Sequence, residues 1–176
     1  EAFLLCSVFD LLNVDLILES GTGNGYSTEI MANYLDKQII TIDLEFNQWD
    51  AFERTSKRLS EYKNVKCIKG NGEIFLPKFI NDNKSKNIGI FIDGPKGPSA
   101  RDLGNNLFHN SNVSCICYHD QFIDNNYDMD GTLFNSSCDG DLGFINKTYG
   151  YLNDQLPEEQ KKSFYPNGPG LSLQLK

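Results

Sequence analysis

The sequence predicts an α/β fold: a doubly wound, mostly parallel sheet with helices on both faces. Three observations carry this. Short apolar runs alternate with longer mixed segments as far as Tyr118. A glycine-rich turn stands directly behind the first of those runs. The chain closes on Leu171-Ser-Leu-Gln-Leu175, apolar at period two, which reads as a late strand, antiparallel at or near the sheet edge. Strand–helix alternation implies right-handed crossovers, so the C-terminal ends of the parallel strands share one edge, where ligands bind in such sheets.

The elements follow in order. Glu1 to Asp10 is apolar without a basic start, a poor signal peptide. It reads as a helix entered part-way, as though the natural chain begins earlier. Strands are expected at Leu16–Glu19, Gln38–Asp43, Val65–Lys69, Ile88–Asp93 and Val113–Tyr118. Helices are expected at Ser27–Leu35, Trp49–Glu61, Glu73–Asn81 and roughly Ser99–Phe108. The rhythm stops after Tyr118. Residues 121–168 are rich in Asn, Asp, Gly and aromatics and have no clean period. A segment that long in a compact domain suggests a lid or substrate-specificity insertion. Its aromatics Tyr127, Phe134, Phe144, Tyr149 and Tyr151 either line an acceptor pocket or pin the segment to the core. The expectation is a single domain over residues 1–176, with neither repeat nor linker.

Composition narrows the function. A chain of 176 residues suits one domain with a sizeable core, and no apolar run approaches the ~20 residues that span a bilayer. The net charge of −8 argues against nucleic acid or an anionic membrane as partner. The five cysteines (6, 67, 115, 117 and 138) form an odd set without a C-x-x-C pair. Cys115 and Cys117 fall on one face of a strand, as small core residues would. Reduced thiols and a cytoplasmic setting are expected. A homodimer is left open.

The most informative run is Glu19-Ser-Gly-Thr-Gly-Asn-Gly25. Glycines at 21, 23 and 25 let the backbone turn sharply, and they have no side chain to hold a ligand off the main chain. The following Tyr26-Ser-Thr-Glu-Ile-Met reads as a helix whose first amides face that ligand. A dinucleotide fingerprint would place its third glycine at position 26, which is Tyr26. A nucleotide-dependent oxidoreductase is therefore the weaker alternative.

The pattern E-x-G-x-G-x-G resembles motif I of the class I S-adenosylmethionine (SAM)-dependent methyltransferases, and the continuation G-Y-S-T is similar to their small-molecule O-methyltransferase branch. The resemblance covers roughly residues 14–120. It implies a Rossmann-like fold and a cofactor site of Glu19, Gly21, Thr22, Gly23, Asn24, Gly25, Ser27, Asp43, Leu44, Asn71 and Gly72. In that family the acid at Glu19 supports the methionine end of the cofactor, often through water. Asp43, ending the second strand, can accept both ribose hydroxyls as the analogous acid does in dinucleotide folds, or else cap a helix. Leu44 would then flank the adenine. Asn71 stands where the family often has Asp; its carbonyl can accept from the adenine amine, or Asn71-Gly72 is a plain turn.

Asp93 and Lys96 form D-x-x-K, which looks like the segment of metal-dependent O-methyltransferases in which the Asp binds a divalent cation and the Lys is a candidate base. The family's second ligand pair, commonly Asp-Asn, is here His119-Asp120. Asp93 and Asp120 offer hard oxygens suited to Mg²⁺, whereas His119 shifts preference toward another divalent cation, a transition metal. Either Lys96 or His119 can be the base: an unperturbed His is poised near neutral pH, whereas Lys96 needs its pKa lowered by burial or a cation. The resemblance thus implies methyl transfer to a hydroxyl of a small molecule, with catalytic candidates Lys96, His119 and Asp93. A SAM-binding module without turnover is the other alternative.

Overall fold

Ten of the twelve elements among the described residues come from the strand–helix rhythm and its opening helix. A computed structural model describes residues 2–44, 51–119, 130–135 and 171–176. In chain order they are α1 (Ala2–Leu11), β1 (Leu16–Ser20), α2 (Tyr26–Tyr34), β2 (Gln38–Asp43), α3 (Ala51–Leu59), β3 (Val65–Lys69), α4 (Gly72–Asp82), β4 (Ile88–Ile92), α5 (Pro98–Phe108), β5 (Val113–His119), β6 (Thr132–Asn135) and β7 (Leu171–Leu175). The strands form one sheet in the order β3-β2-β1-β4-β5-β7-β6. The first five are parallel, and β7 runs antiparallel to both β5 and β6. The late strand is thus one position in from the edge. The edge itself is β6, four residues inside the segment expected to be irregular. The rest of the lid expected at 121–168 lies outside the described residues. Of its aromatics, Phe134 alone falls on a described element, β6.

Alternation along each strand divides the core. Leu16, Leu18, Ile88, Ile90 and Ile92 join Leu76 and Ile80 of α4 and Leu103 and Leu107 of α5 on one face. Ile17, Ile39, Phe91, Cys115 and Cys117 join Leu5 and Phe9 of α1 and Met31 of α2 on the other. The thiols at 115 and 117 are therefore core residues, as their spacing indicated. Cys6, Cys67, Cys115 and Cys117 are all free; Cys138 lies outside the described residues. Each fully buried Leu or Ile contributes roughly 1.5–3 kcal/mol. The two-sided core under β1 and β4 holds the strand ends rigidly where the site is built.

A polar tie fixes the late strand. The Tyr118 hydroxyl donates to Gln174 Oε1 at 2.6 Å, and Gln174 Nε2 donates to the Asp130 carbonyl at 2.8 Å and to Asn105 Oδ1 at 3.2 Å. This buried side chain on α5's side of the sheet leaves no room at residue 104, where a Cβ would sit 1.8 Å from the Tyr118 oxygen. No described helix is long and apolar enough to cross a membrane.

Candidate active site

Strand order reverses between β1 and β4, and the chain opens a crevice there, as open α/β sheets do. Both strands end against each other: the Ser20 carbonyl accepts from the amides of Asp93 at 2.8 Å and Gly94 at 2.9 Å, and the Ser20 hydroxyl donates to the Gly94 carbonyl. The Gly21 amide returns to β2, donating to the Ile42 carbonyl at 2.8 Å.

The three glycines of the turn do three different jobs. Gly21, at φ +97°, leaves no space for a side chain: a Cβ would lie 2.6 Å from the Gly94 nitrogen. Gly25, at φ +74°, is pressed by α3, where a Cβ would meet Thr55 at 2.7 Å and Leu59 at 3.0 Å. Gly23, at φ +51°, has nothing within 4 Å of the missing Cβ. The space above Gly23 opens where a ligand would lie. Its amide donates to Asp43 Oδ2 at 2.7 Å, tying the turn to the end of β2.

Glu19 shares the face of Ile17 by strand alternation, which puts its carboxylate beneath the start of α2. There it is fully buried. Its two oxygens accept from the hydroxyls of Ser27 and Thr28, each at 2.5 Å. Burial pushes this carboxyl up to about 7, opposed by the hydrogen bonds of Ser27, Thr28 and Thr41, with the negative charge of Asp93 adding to the rise. Glu19 lines neither cavity described below. Any influence on a cofactor passes through Ser27, which does.

Two cavities flank the turn. The first, of about 230 Å³, is lined by Gly21, Asp43, Leu44, Asn71 and Gly72 among others. Asn71 is the N-cap of α4, its Oδ1 accepting from the Glu73 amide at 2.9 Å. Asn71 thus opens α4 rather than forming a plain turn with Gly72, and any bond to an adenine amine must share that same oxygen. Gly72 is close-packed, since a Cβ there would meet the Ser20 hydroxyl at 2.1 Å. Asp43 ends β2 and lines this cavity. Its bond from Gly23 uses one of the several acceptor positions of a carboxylate.

The second cavity, of about 400 Å³, is lined by residues 22–27 and Ile30 together with Leu5, Phe91, Asp93, His119 and Leu171. Asp93 Oδ1 lies 2.5 Å from Lys96 Nζ and 2.7 Å from His119 Nδ1, and Lys96 Nζ is 3.1 Å from that same nitrogen. Burial works to raise the Asp93 carboxyl, but the hydrogen bonds and charges of His119 and Lys96 outweigh it and hold the group below the ordinary carboxylate value. The D-x-x-K segment and the end of β5 thus meet in one cluster. Lys96 touches that cluster from outside and does not line the cavity.

The donors for a divalent ion were expected to be Asp93, His119 and Asp120. Asp93 and His119 do converge, whereas Asp120 lies outside the described residues. No group of three His, Cys, Asp or Glu side chains converges as a metal site among the described residues. The Lys96 ammonium sits against the same Asp93 oxygen a cation would use. Among the described residues, then, two of the three expected donors converge, with a lysine ammonium against them.

Several contributors were not foreseen. Phe91 walls the second cavity and meets the His119 ring edge-on, with centroids 6.2 Å apart. Its signal was available: it sits two residues before Asp93, on the same face. Thr55 and Arg58 of α3 reach the glycine turn, the Thr55 hydroxyl to the Gly23 carbonyl at 3.3 Å and Arg58 to the Asn24 carbonyl. Nothing in the spacing marks them, because basic residues in the last turn of a helix read as a solvated face.

This sheet and crevice define the fold of the class I SAM-dependent methyltransferases, the resemblance already carried by residues 19–28. Two solved structures share it. The O-methyltransferase TomG from Streptomyces achromogenes, involved in tomaymycin synthesis and solved in complex with SAM, aligns over 99% of this chain and 78% of its own at 20% identity and TM-score 0.58. A candidate caffeoyl-CoA O-methyltransferase from Staphylococcus aureus aligns over 99% and 82% at 18% identity and TM-score 0.54. By sequence, the chain is 35% identical over 99 residues to a protein-L-isoaspartate O-methyltransferase of Methanococcus aeolicus. That match covers 55% of this chain and 44% of the relative, so the chain spans less than half of the curated relative's length. No protein-family model matches.

Proposed function

We propose that this chain is a SAM-dependent methyltransferase that transfers the methyl group to a hydroxyl oxygen of a small molecule. One observation carries the reading: the glycine turn and the Asp93–His119 pair line a single cavity. Adenosine fits the first cavity, its ribose against Asp43 and its adenine beside Leu44. The methionine end then lies over Gly23 and Ser27. The carbonyls of residues 22–25 are all engaged, by Gly25, Thr55, Arg58 and Glu29, and the amides of Gly23 and Gly25 are taken by Asp43 and Thr22, so a ligand carboxylate would meet the Asn24 amide and the first amides of α2.

The chemistry follows from the sulfonium. Its methyl carbon is an electrophile, and transfer is an in-line displacement that needs an acceptor oxygen held at roughly 3–3.5 Å. A hydroxyl must lose its proton as the bond forms. His119 faces the cavity and Lys96 does not, so His119 is the base this arrangement favours. Asp93 orients the ring and stabilises its protonated form. Lys96, on the same Asp93 oxygen, helps hold that group ionised. The apolar walls of Phe91, Ile30 and Leu171 suit an apolar body carrying the hydroxyl. The net charge of −8 favours such an acceptor over nucleic acid.

A second reading has one observation behind it: the sequence relative is named for a protein carboxyl acceptor. A carboxylate is already ionised at neutral pH, with an ordinary pKa near ~4. It needs no base, and the Asp93–His119 pair would then be idle. The test is formation of S-adenosylhomocysteine from SAM with either a panel of phenols and sugars or an isoaspartyl peptide, each with Mg²⁺ and with chelator. Turnover on the hydroxyl panel, lost in His119→Ala, supports the first reading. Turnover on the peptide, indifferent to that substitution, supports the second. Stabilisation by NAD and not by SAM would remove both in favour of an oxidoreductase. SAM binding without turnover on any acceptor would leave a binding module.

A further inference from the structure

We propose that Arg58 of α3 is a positioning residue for the cofactor turn, clamping the stretch 24–29 from the face opposite the ligand. The proposal rests on the SAM reading for its ligand but on geometry of its own. One guanidinium reaches three successive parts of that stretch. It donates to the Asn24 carbonyl, lies 5.6 Å from the centre of the Tyr26 ring, and pairs with Glu29 in the first turn of α2. Tyr62, just past α3, donates to the other oxygen of Glu29 at 3.1 Å, and Asn33 donates to Tyr62 at 3.1 Å. Beside Arg58, the Thr55 hydroxyl takes the Gly23 carbonyl.

The consequence is directional. Gly23 and Asn24 have their carbonyls drawn toward α3; the amide opposite the first of them, that of Asn24, is thereby directed away from α3, while the amide opposite the second, that of Gly25, closes the turn on the Thr22 carbonyl. Glu19 fixes the same junction from below through Ser27 and Thr28. The turn is therefore gripped at its base and its back, and only the ligand side is open. A planar fork with several donors can hold a carbonyl and a carboxylate together, which a lysine ammonium at one point cannot do as well.

The test compares two ligands and one ligand-free property. S-adenosylhomocysteine engages the turn, whereas adenosine needs the first cavity, which α3 does not line. Arg58→Met is expected to weaken S-adenosylhomocysteine about tenfold by calorimetry, to leave adenosine within about twofold, and to speed amide hydrogen exchange at residues 22–27 without ligand. Arg58→Lys should fall between. Equal weakening of both ligands, or no change in either ligand or in exchange, overturns the proposal. If the Met variant fails to fold by circular dichroism, Arg58→Lys and Thr55→Val carry the same comparison. Faster exchange in a protein whose wild type binds neither ligand would uphold the clamp and overturn the SAM reading, so the two failures are distinguishable.

Discussion

The two cavities beside the glycine turn are built from different materials. The β1–β2–β3 side is rich in glycine: Gly21, Gly70, Gly72 and Gly94 line it, with two acids, Asp43 and Glu73, among them. The β4–β5 side is built by side chains, with one acid, one imidazole and a lysine behind them, set among apolar walls. Backbone recognises a constant ligand by shape, and side chains supply chemistry that differs between acceptors. Damage to the first side is expected to weaken binding. Damage to the second should spare binding and stop turnover.

The largest effect that would break this division is at Asp93. Asp93→Ala leaves His119 without its carboxylate partner, and methyl transfer should fall roughly 10²–10⁴-fold, while S-adenosylhomocysteine affinity by calorimetry stays within about threefold. A matching loss of affinity would mean the two sides are one.

Next is the buried acid between them. Glu19 has a folded pKa of about 7, above the ordinary carboxylate value. The folded state therefore binds its proton more tightly than the unfolded chain does. The stability this provides is complete below pH ~4.5 and is lost as pH rises to about 7, amounting to no more than ~3 kcal/mol. Denaturant midpoints measured from pH 4.5 to 7.5 should fall in wild type, and Glu19→Gln should flatten that slope. An unchanged slope in the variant would place the titration elsewhere.

At Gly21 the β1–β4 contact leaves no room for even one methyl. Gly21→Ala should raise the S-adenosylhomocysteine dissociation constant about a hundredfold, close to 2.7 kcal/mol, and lower the melting temperature as well. Gly23→Ala, with open space around its Cβ, sharpens the comparison: it should cost binding through ligand overlap with a much smaller thermal change. Smallest is Asp43→Asn, which keeps an acceptor oxygen for the Gly23 amide but weakens the grip on ribose hydroxyls. About a fivefold loss for both adenosine and S-adenosylhomocysteine is expected, roughly 1 kcal/mol.

The sheet was legible wherever local pattern and burial agree. β2 and β3 begin and end where their apolar runs do, and β1, β4 and β5 differ by one residue at their C-terminal ends. β6 was not legible, because Thr132-Leu-Phe-Asn135 is too short for a period and earns its strand only by pairing with β7. The glycine turn was read correctly as a unit, but spacing alone could not separate its members. Gly21 and Gly25 are glycine because β4 and α3 press on them, facts that depend on partners 73 and 30 or more residues away. Glu19 marks the same limit. Its position in the motif suggested a cofactor contact, yet two-residue alternation already placed it with Ile17 on the buried face. The cluster of Asp93, Lys96 and His119 was legible because parallel strands bring their C-terminal ends to one edge, whatever their separation in the chain. Arg58 was invisible, since its role exists only after α3 packs against the turn.

The most direct measurement is calorimetric titration of S-adenosylhomocysteine into wild type, Gly21→Ala and Asp93→Ala. Saturable one-to-one binding to wild type and Asp93→Ala, weakened about a hundredfold in Gly21→Ala, is the predicted result. Absence of binding to wild type, or binding that survives Gly21→Ala unchanged, would contradict a cofactor site in the crevice between β1 and β4.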